Sequence, residues 1–216
     1  MLQKILKELA ATNTTLVAVS KTKPVAQIQA MYDEGQRIFG ENRVQELVEK
    51  QAVLPKDIEW HQIGHLQTNK VKYIAPFVSL IHAVDSLKLL KEINKQAIKN
   101  NRTIDCLLQF HIAEEISKFG FDQKEVETML TAEEFKQLSN VRIVGVMGMA
   151  TFTHDKEQVK LEFRHLKNLF DKLKQNHFQK ATEFKEISMG MSGDYQLAVT
   201  EGSTMVRIGS LLFGRR

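Results

Sequence analysis

Two hydrophobic rhythms alternate along the chain. Short, nearly continuous apolar runs rich in Val, Ile and Leu are followed by longer runs in which apolar residues recur every three or four positions, the signatures of buried strands and of one-sided helices. The run at 15–20 (TLVAVS) reads as a buried strand, and 25–34, which opens directly after Pro24, as a helix. The alternation continues with strands at 37–40, 58–63, 77–83, 104–111, 141–147, 184–188 and 204–208. Helical segments fall between them at 43–53, 68–73, 87–99, 123–130, 156–173 and 195–199, and an apolar turn at 211–213 closes the pattern. In 87–99, Leu87, Leu90 and Ile93 share a face; in 156–173, Val159, Phe163, Leu166 and Phe170 do so. At the start, Lys4 and Lys7 interleave with Leu2, Ile5, Leu6 and Leu9, which makes 1–11 an amphipathic helix rather than a signal peptide.

Eight strand–helix units in chain order imply a parallel α/β fold. Eight is also the number that closes a (β/α)8 TIM barrel, which typically takes ~250 residues; 216 residues would make a compact one. The rival, an open doubly wound sheet, lacks its glycine fingerprint, because Ser20-Lys21-Thr22-Lys23-Pro24 follows the first strand. No linker or repeat divides the chain, so 1–216 reads as one domain despite exceeding the ~150-residue prior.

Composition narrows the function classes. With 43% hydrophobic and 26% charged residues, the chain can bury a core, and 3 Pro and 11 Gly are too few for a low-complexity protein. A single cysteine, Cys106, excludes an internal disulfide framework and cysteine-rich zinc sites and suits a reducing cytoplasm. Set inside an apolar strand, it reads as a small buried hydrophobe. No apolar run approaches the roughly 20 residues of a membrane span. The net charge of +4 is spread out; the one stripe, Lys88, Lys91, Lys95 and Lys99, reads as a solvated helix face. Without interleaved aromatic platforms, nucleic-acid binding is disfavoured. His61 and His65 have i, i+4 spacing, but Gly64 and the strand context spoil a helical metal pair, so no metal site is expected.

In a barrel, functional groups sit at the C-terminal strand ends. Lys21 and Lys23 follow the first strand and share the parity of Val17 and Val19. An apolar strand end disfavours the charged form of a lysine, the condition that Schiff-base chemistry needs, although spacing alone fits two lysines marking an exposed strand end equally well. Glu41 and Asn42 follow the second strand, His61 and Gly64 the third, Asp85 the fourth, and Lys118 lies beyond the fifth. The seventh ends in Ser188-Met189-Gly190-Met191-Ser192-Gly193 and the eighth in Arg207-Ile208-Gly209-Ser210. These are the two loops with which barrels often hold phosphate. Their glycines allow close backbone approach, Ser188 and Ser192 supply hydroxyls, Asp194 is placed to cap the helix that follows, and Gly209 and Ser210 precede a closing helical turn. An amine and a phosphate cradle suggest a phosphorylated aldehyde. Pyridoxal 5'-phosphate fits, with Arg207 as partner of the ring nitrogen, an arrangement that would keep that nitrogen unprotonated.

Six blocks then carry a resemblance. Ala18-Val19-Ser20-Lys21-Thr22-Lys23-Pro24 and Phe39-Gly40-Glu41-Asn42 with Val44-Gln45-Glu46 are two of them. Trp60-His61-Gln62-Ile63-Gly64-His65-Leu66-Gln67-Thr68-Asn69-Lys70 and Gly145-Val146-Met147-Gly148-Met149 are the next two, and the last are Ser188 through Asp194 and Gly202-Ser203-Thr204-Met205-Val206-Arg207-Ile208-Gly209. In order and over nearly the whole chain they resemble the pyridoxal-phosphate homeostasis proteins. That resemblance implies a barrel like the alanine racemase N-terminal domain, with pyridoxal phosphate held as a Schiff base on Lys21. It implies Arg207 at the ring nitrogen, Ser192, Gly209 and Ser210 around the phosphate, and Asn42, His61 and Met191 lining the pocket. Arg43 stands where the family often has Tyr, Ser210 where Thr is frequent, and the leading helix is short.

The resemblance implies no established catalysis and a carrier that holds the cofactor and passes it to apo-enzymes; the lone barrel suggests a monomer, the single cysteine a cytoplasmic protein, and Lys23 and Lys118 are candidates for secondary Schiff bases during transfer. The alternative is an amino-acid racemase. A racemase of this fold resembles the barrel plus a C-terminal β-domain and partner subunit, whereas Arg216 follows the eighth unit directly, and Tyr32, Tyr73 and Tyr195 are not placed as an obvious second base. An open site that admits water also suits transfer better than carbanion chemistry.

Overall fold

The computed structural model describes residues 1–114 and 119–214. Eight parallel strands close on themselves in sequence order: β1 (Thr15–Val19), β2 (Ile38–Glu41), β3 (Glu59–Gln62), β4 (Leu80–Val84), β5 (Ile104–Phe110), β6 (Val141–Gly148), β7 (Glu186–Met191) and β8 (Met205–Ile208). The seam is the β8–β1 pairing, with Thr15 opposite Met205 and Ala18 opposite Ile208. This is the expected (β/α)8 barrel.

The outer ring is α1 (Leu2–Ala10), α2 (Val25–Asp33), α3 (Val44–Val53), a 3-10 turn at Thr68–Lys70 running into α4 (Val71–Ile74), α5 (Leu87–Lys99), α6 (Gln123–Thr131), α7 (Glu133–Lys136), α8 (Lys156–Asn176), α9 (Tyr195–Thr200) and α10 (Ser210–Phe213). The helical faces read from the sequence are the buried ones: Leu90 and Ile93 on α5, and Val159, Phe163 and Leu166 on α8, seal the space between helices and barrel. The caps are also chemical: Asp122 and Glu125 form a capping box at the start of α6, and Asp155 accepts the N–H groups of Glu157 and Gln158 at the start of α8. Of the lysine stripe on α5, Lys91 pairs with Glu134 and Lys95 with Glu92.

Two strands differ from the sequence reading by more than one residue at an end. The fourth begins at Leu80 rather than 77, because Phe77 and Val78 turn back to the Ile74 carbonyl and Arg102 takes the carbonyls of Ala75 and Val78. The seventh continues to Met191 through a register shift between Ser188 and Met191. The short helix α7 has no counterpart in the sequence reading.

Alternation along the strands fills the barrel in two grades. Val17, Leu80, Leu107, Val144, Met147 and Met205 form an apolar interior cluster. Beside them the interior holds His61, His82, Ser188 and Arg207, all at most 4% exposed. Buried polar groups persist only when hydrogen bonded, so these four mark the part of the barrel built for something other than packing. Among the described residues no helix is long and apolar enough to cross a membrane.

Candidate functional site

At the C-terminal mouth, Lys21, Thr22, Lys23, Gly209, Ser210 and Val19 line one cavity of about 100 Å³ that also touches Gly214. Lys21 is half-buried there. The expected strand parity stops short of it. β1 ends at Val19, and Ser20–Lys23 is a tight turn closed by the Lys23 N–H on the Ser20 carbonyl (3.0 Å), with Thr22 at φ +63°. Lys23 therefore points elsewhere than parity implied: its Nζ donates to the carbonyls of Phe213 and Gly214, both at 3.1 Å, and so ties down the end of α10.

The loops after β7 and β8 meet. The Gly209 N–H donates to Ser192 Oγ at 3.2 Å, and Gly209 lies against Val19, whose carbonyl oxygen would be 3.2 Å from an added Cβ. Gly190 makes the turn into this loop: at φ +93°, its missing side chain leaves room for Ala198, whose Cβ would otherwise be 2.5 Å away. Met191 is exposed, with its N–H donated to Asp194 Oδ1 at 2.5 Å. Asp194 was expected to cap α9, but its side chain makes no such bond; it folds back to hold the Met191 amide instead. Ser210 is exposed at the first position of α10.

Asn42 stands half-buried just after β2, and its carbonyl accepts from Gln62 Nε2, which also bonds the Gly64 carbonyl, both at 3.0 Å. Gly64 has no space for a side chain; a Cβ would lie 2.6 Å from the Asn42 oxygen.

Deeper in the barrel lies a chain of polar groups that the sequence reading missed. Arg207 donates through one guanidinium nitrogen to Ser188 Oγ (2.5 Å) and through the other to the Gly148 carbonyl (3.0 Å). Ser188 Oγ meets His82 Nδ1 at 2.9 Å, and His82 Nε2 meets His61 Nδ1 at 3.0 Å. The direction follows from chemistry. Arginine only donates, so Ser188 Oγ accepts from it; the tautomer that uses the hydroxyl proton within the chain has Ser188 donating to His82 Nδ1 and His82 Nε2–H donating to His61. Burial drives the protonation of both imidazoles down, His61 to about 3 and His82 well below its ordinary value with help from His61 and Arg207. Burial also lowers Arg207 to about 10, with Asp194 opposing. At neutral pH the chain therefore carries one positive charge, on Arg207.

Two sequence assignments change place. Ser188, expected among the hydroxyls for phosphate, serves Arg207 inside the barrel. His61 lines a cavity of about 560 Å³ at the opposite, N-terminal mouth, with Glu59, Asp105, Arg142, Val144 and Glu186, so it reaches the upper site only through His82 and Ser188. His61 and His65 do not converge; His65 pairs with Asp85 at 3.0 Å and stacks on Phe119. Cys106 is fully buried and its thiol is pushed up by burial. Lys118 lies outside the described residues. The interior histidine of β4 had one sequence signal: His82 has the same alternation as inward-facing Leu80.

Three comparisons bear on this architecture. Residues 3–216 match the family described as alanine racemase, N-terminal domain. The pyridoxal phosphate homeostasis protein of Aquifex aeolicus is 41% identical over 202 residues, 93% of this chain and 86% of that one. Its namesake from Mus musculus is 40% identical over 222 residues, 97% and 80% of the two chains. Among solved structures, PipY of Synechococcus elongatus with PLP bound has a TM-score of 0.87 at 35% identity, covering 99% of this chain and 100% of its own. An alanine racemase from Clostridium difficile, 17% identical with a TM-score of 0.78, shares the fold over all of this chain and 60% of its own. The chain thus belongs to the alanine racemase N-terminal domain family and, within it, to the pyridoxal phosphate homeostasis proteins.

Proposed function

We propose that this protein holds pyridoxal 5'-phosphate at the C-terminal mouth of the barrel, with Lys21 as its amine anchor, and keeps the cofactor in reserve for apo-enzymes in the cytoplasm. The observation that carries this reading is one cavity lined by both Lys21 and the Gly209–Ser210 turn, with Ser192 bonded to the Gly209 amide. The donor set fits the group. The amine suits an aldehyde, and the hydroxyls of Ser192 and Ser210 together with the start of α10 suit a phosphate. Arg207, charged and incapable of taking a further proton, suits an unprotonated ring nitrogen. Met191 and Asn42 flank the mouth, and His61 acts from behind through His82. When bound, the cofactor supplies an aldehyde that condenses with a primary amine.

The protein's own groups favour holding over turnover. A two-base racemase needs a second base opposite the lysine, and each of the 3 tyrosines is engaged elsewhere. Tyr32 bonds Asp57 at 2.7 Å and Tyr195 bonds Glu8 at 2.6 Å, while Tyr73 lies on α4 beneath Lys70 and Lys72. Relatives named for pyridoxal phosphate homeostasis and a neighbour solved with the cofactor support the same reading. The test is the visible spectrum of the purified protein after addition of pyridoxal 5'-phosphate, followed by borohydride reduction and peptide mapping. A stable adduct on Lys21, with no racemisation of added amino acids, is expected. No absorbance band and no adduct would overturn the assignment.

A further inference from the structure

The turn that carries Lys21 is conformationally costly. Thr22 occupies its third position at φ +63°. A β-branched residue in the left-handed region is a strained choice where Gly or Asn is usual. Such strain persists only where surroundings over-determine it, and here they do so on both sides of the lysine. Before it, the Ser20 carbonyl accepts from Lys50 Nζ at 2.8 Å. After it, the Thr22 N–H donates to Glu46 Oε2 at 2.7 Å.

The two grips belong to one cluster on β2 and α3. Lys50 Nζ, in a residue only 6% exposed, also contacts Glu41 Oε1 at 2.6 Å and Glu46 Oε2 at 3.1 Å, and Ser20 Oγ donates to Glu41 Oε1 at 2.6 Å. Glu41 is fully buried, and among the described residues its second oxygen has no hydrogen-bond partner. Burial raises its carboxyl group against the opposing pull of Lys50 and Ser20. A cluster of this kind is poor value as pure stabilisation, since desolvation offsets much of the attraction. Its geometric product is specific: the backbone just before and just after Lys21 is fixed to one rigid ammonium–carboxylate unit.

We propose that Glu41, Lys50 and Glu46 are positioning residues that clamp the strained Ser20–Lys23 turn and so hold the Lys21 amine in the orientation needed to meet an aldehyde. The proposal rests on Lys21 being the cofactor anchor, and it concerns groups that touch the backbone on either side of that anchor and the Ser20 hydroxyl.

The test uses Glu46→Ala, which leaves the Lys50–Glu41 pair in place, Glu46→Gln, which keeps an acceptor oxygen, and Lys50→Met. In the cofactor-free protein, hydrogen exchange of the Thr22 amide should accelerate about tenfold in Glu46→Ala and return toward the parent rate in Glu46→Gln. The rate at which pyridoxal 5'-phosphate becomes borohydride-trappable on Lys21 should fall about tenfold in Glu46→Ala and Lys50→Met, and recover in Glu46→Gln. Affinity for pyridoxine 5'-phosphate, which has the phosphate but no aldehyde, should change by less than about twofold in Glu46→Ala, because the phosphate loops are elsewhere. Unchanged Thr22 exchange or an unchanged trapping rate in Glu46→Ala overturns the clamp, as does an equal loss of trapping and of pyridoxine 5'-phosphate binding. If the parent protein forms no adduct on Lys21, the functional reading fails instead, and Thr22 exchange still decides whether the clamp exists.

Discussion

Arg207 is held from behind rather than by a carboxylate. Its guanidinium rests on a hydroxyl and a carbonyl, and the hydroxyl meets His82, which His61 backs in turn, two imidazoles that burial keeps neutral. With neutral hydrogen-bond partners below it, the charge of Arg207 is opposed by Asp194 of the loop after β7 rather than by the groups that hold it. The arrangement makes stability pH-dependent in a defined sense. In the folded state His61 takes a proton only near pH 3, whereas an unfolded histidine does so near 6.5. The unfolded chain thus binds more protons between those values. The stability contributed by the neutral imidazole is complete above about pH 6.5 and is lost as pH falls toward 3, by up to ~1.4 kcal/mol per pH unit for each such group. Urea unfolding of the parent and of His61→Gln, whose amide oxygen can still accept from His82, should diverge in slope below pH 6.5, the variant losing less on acidification. Parallel slopes would remove His61 as the source.

Elements explain which parts of this site the sequence displayed. The strands and their order were legible because period-2 and period-3.6 apolar patterns are local, and eight units leave few ways to close. Lys21 and Arg207 could be named as candidates because strand ends carry chemistry in this architecture. The supporting groups were not, because their partners are brought together only by the barrel: His82 and Ser188 are 106 residues apart, and Lys50 and Ser20 are 30 apart. Parity failed one residue past β1, since a turn with positive φ at Thr22 redirects the chain and sends Lys23 to α10 instead of the rim. That contact yields its own prediction. α10 is a single turn; its N-cap Gly209 and first residue Ser210 form one wall of the mouth, and the carbonyls of Phe213 and Gly214 at its end are capped by the Lys23 ammonium. Lys23→Met should loosen this wall and weaken binding of pyridoxal 5'-phosphate several-fold, about 1 kcal/mol, while binding of pyridoxal, which lacks the phosphate, changes less. Titration of both ligands by absorbance checks it; equal weakening of the two would place the role of Lys23 outside the phosphate end.

At the scale of the whole molecule, the mouth straddles the seam of the barrel. Lys21 continues from β1, Ser192 follows β7, and Gly209 follows β8, so a ligand that engages all three links the strands at which the first and last parts of the chain meet. Closure by β8 against β1 brings together residues nearly two hundred positions apart, and unfolding must open that pairing. A cofactor that binds only the closed form adds RT ln(1 + [L]/Kd) to the stability of the entire barrel, about 2.7 kcal/mol at a hundredfold excess over Kd. For a chain of this length that corresponds to a rise in Tm of roughly 5–11 °C. Thermal unfolding with and without pyridoxal 5'-phosphate should show this shift, and Lys21→Ala, which removes the amine but leaves the phosphate wall, should retain only part of it. Hydrogen exchange supplies the spatial check. If the ligand acts through the seam, the added protection appears in the β1 and β8 amides as well as in the loops it touches; protection confined to the loops would mean that the site rides on the barrel without bracing it.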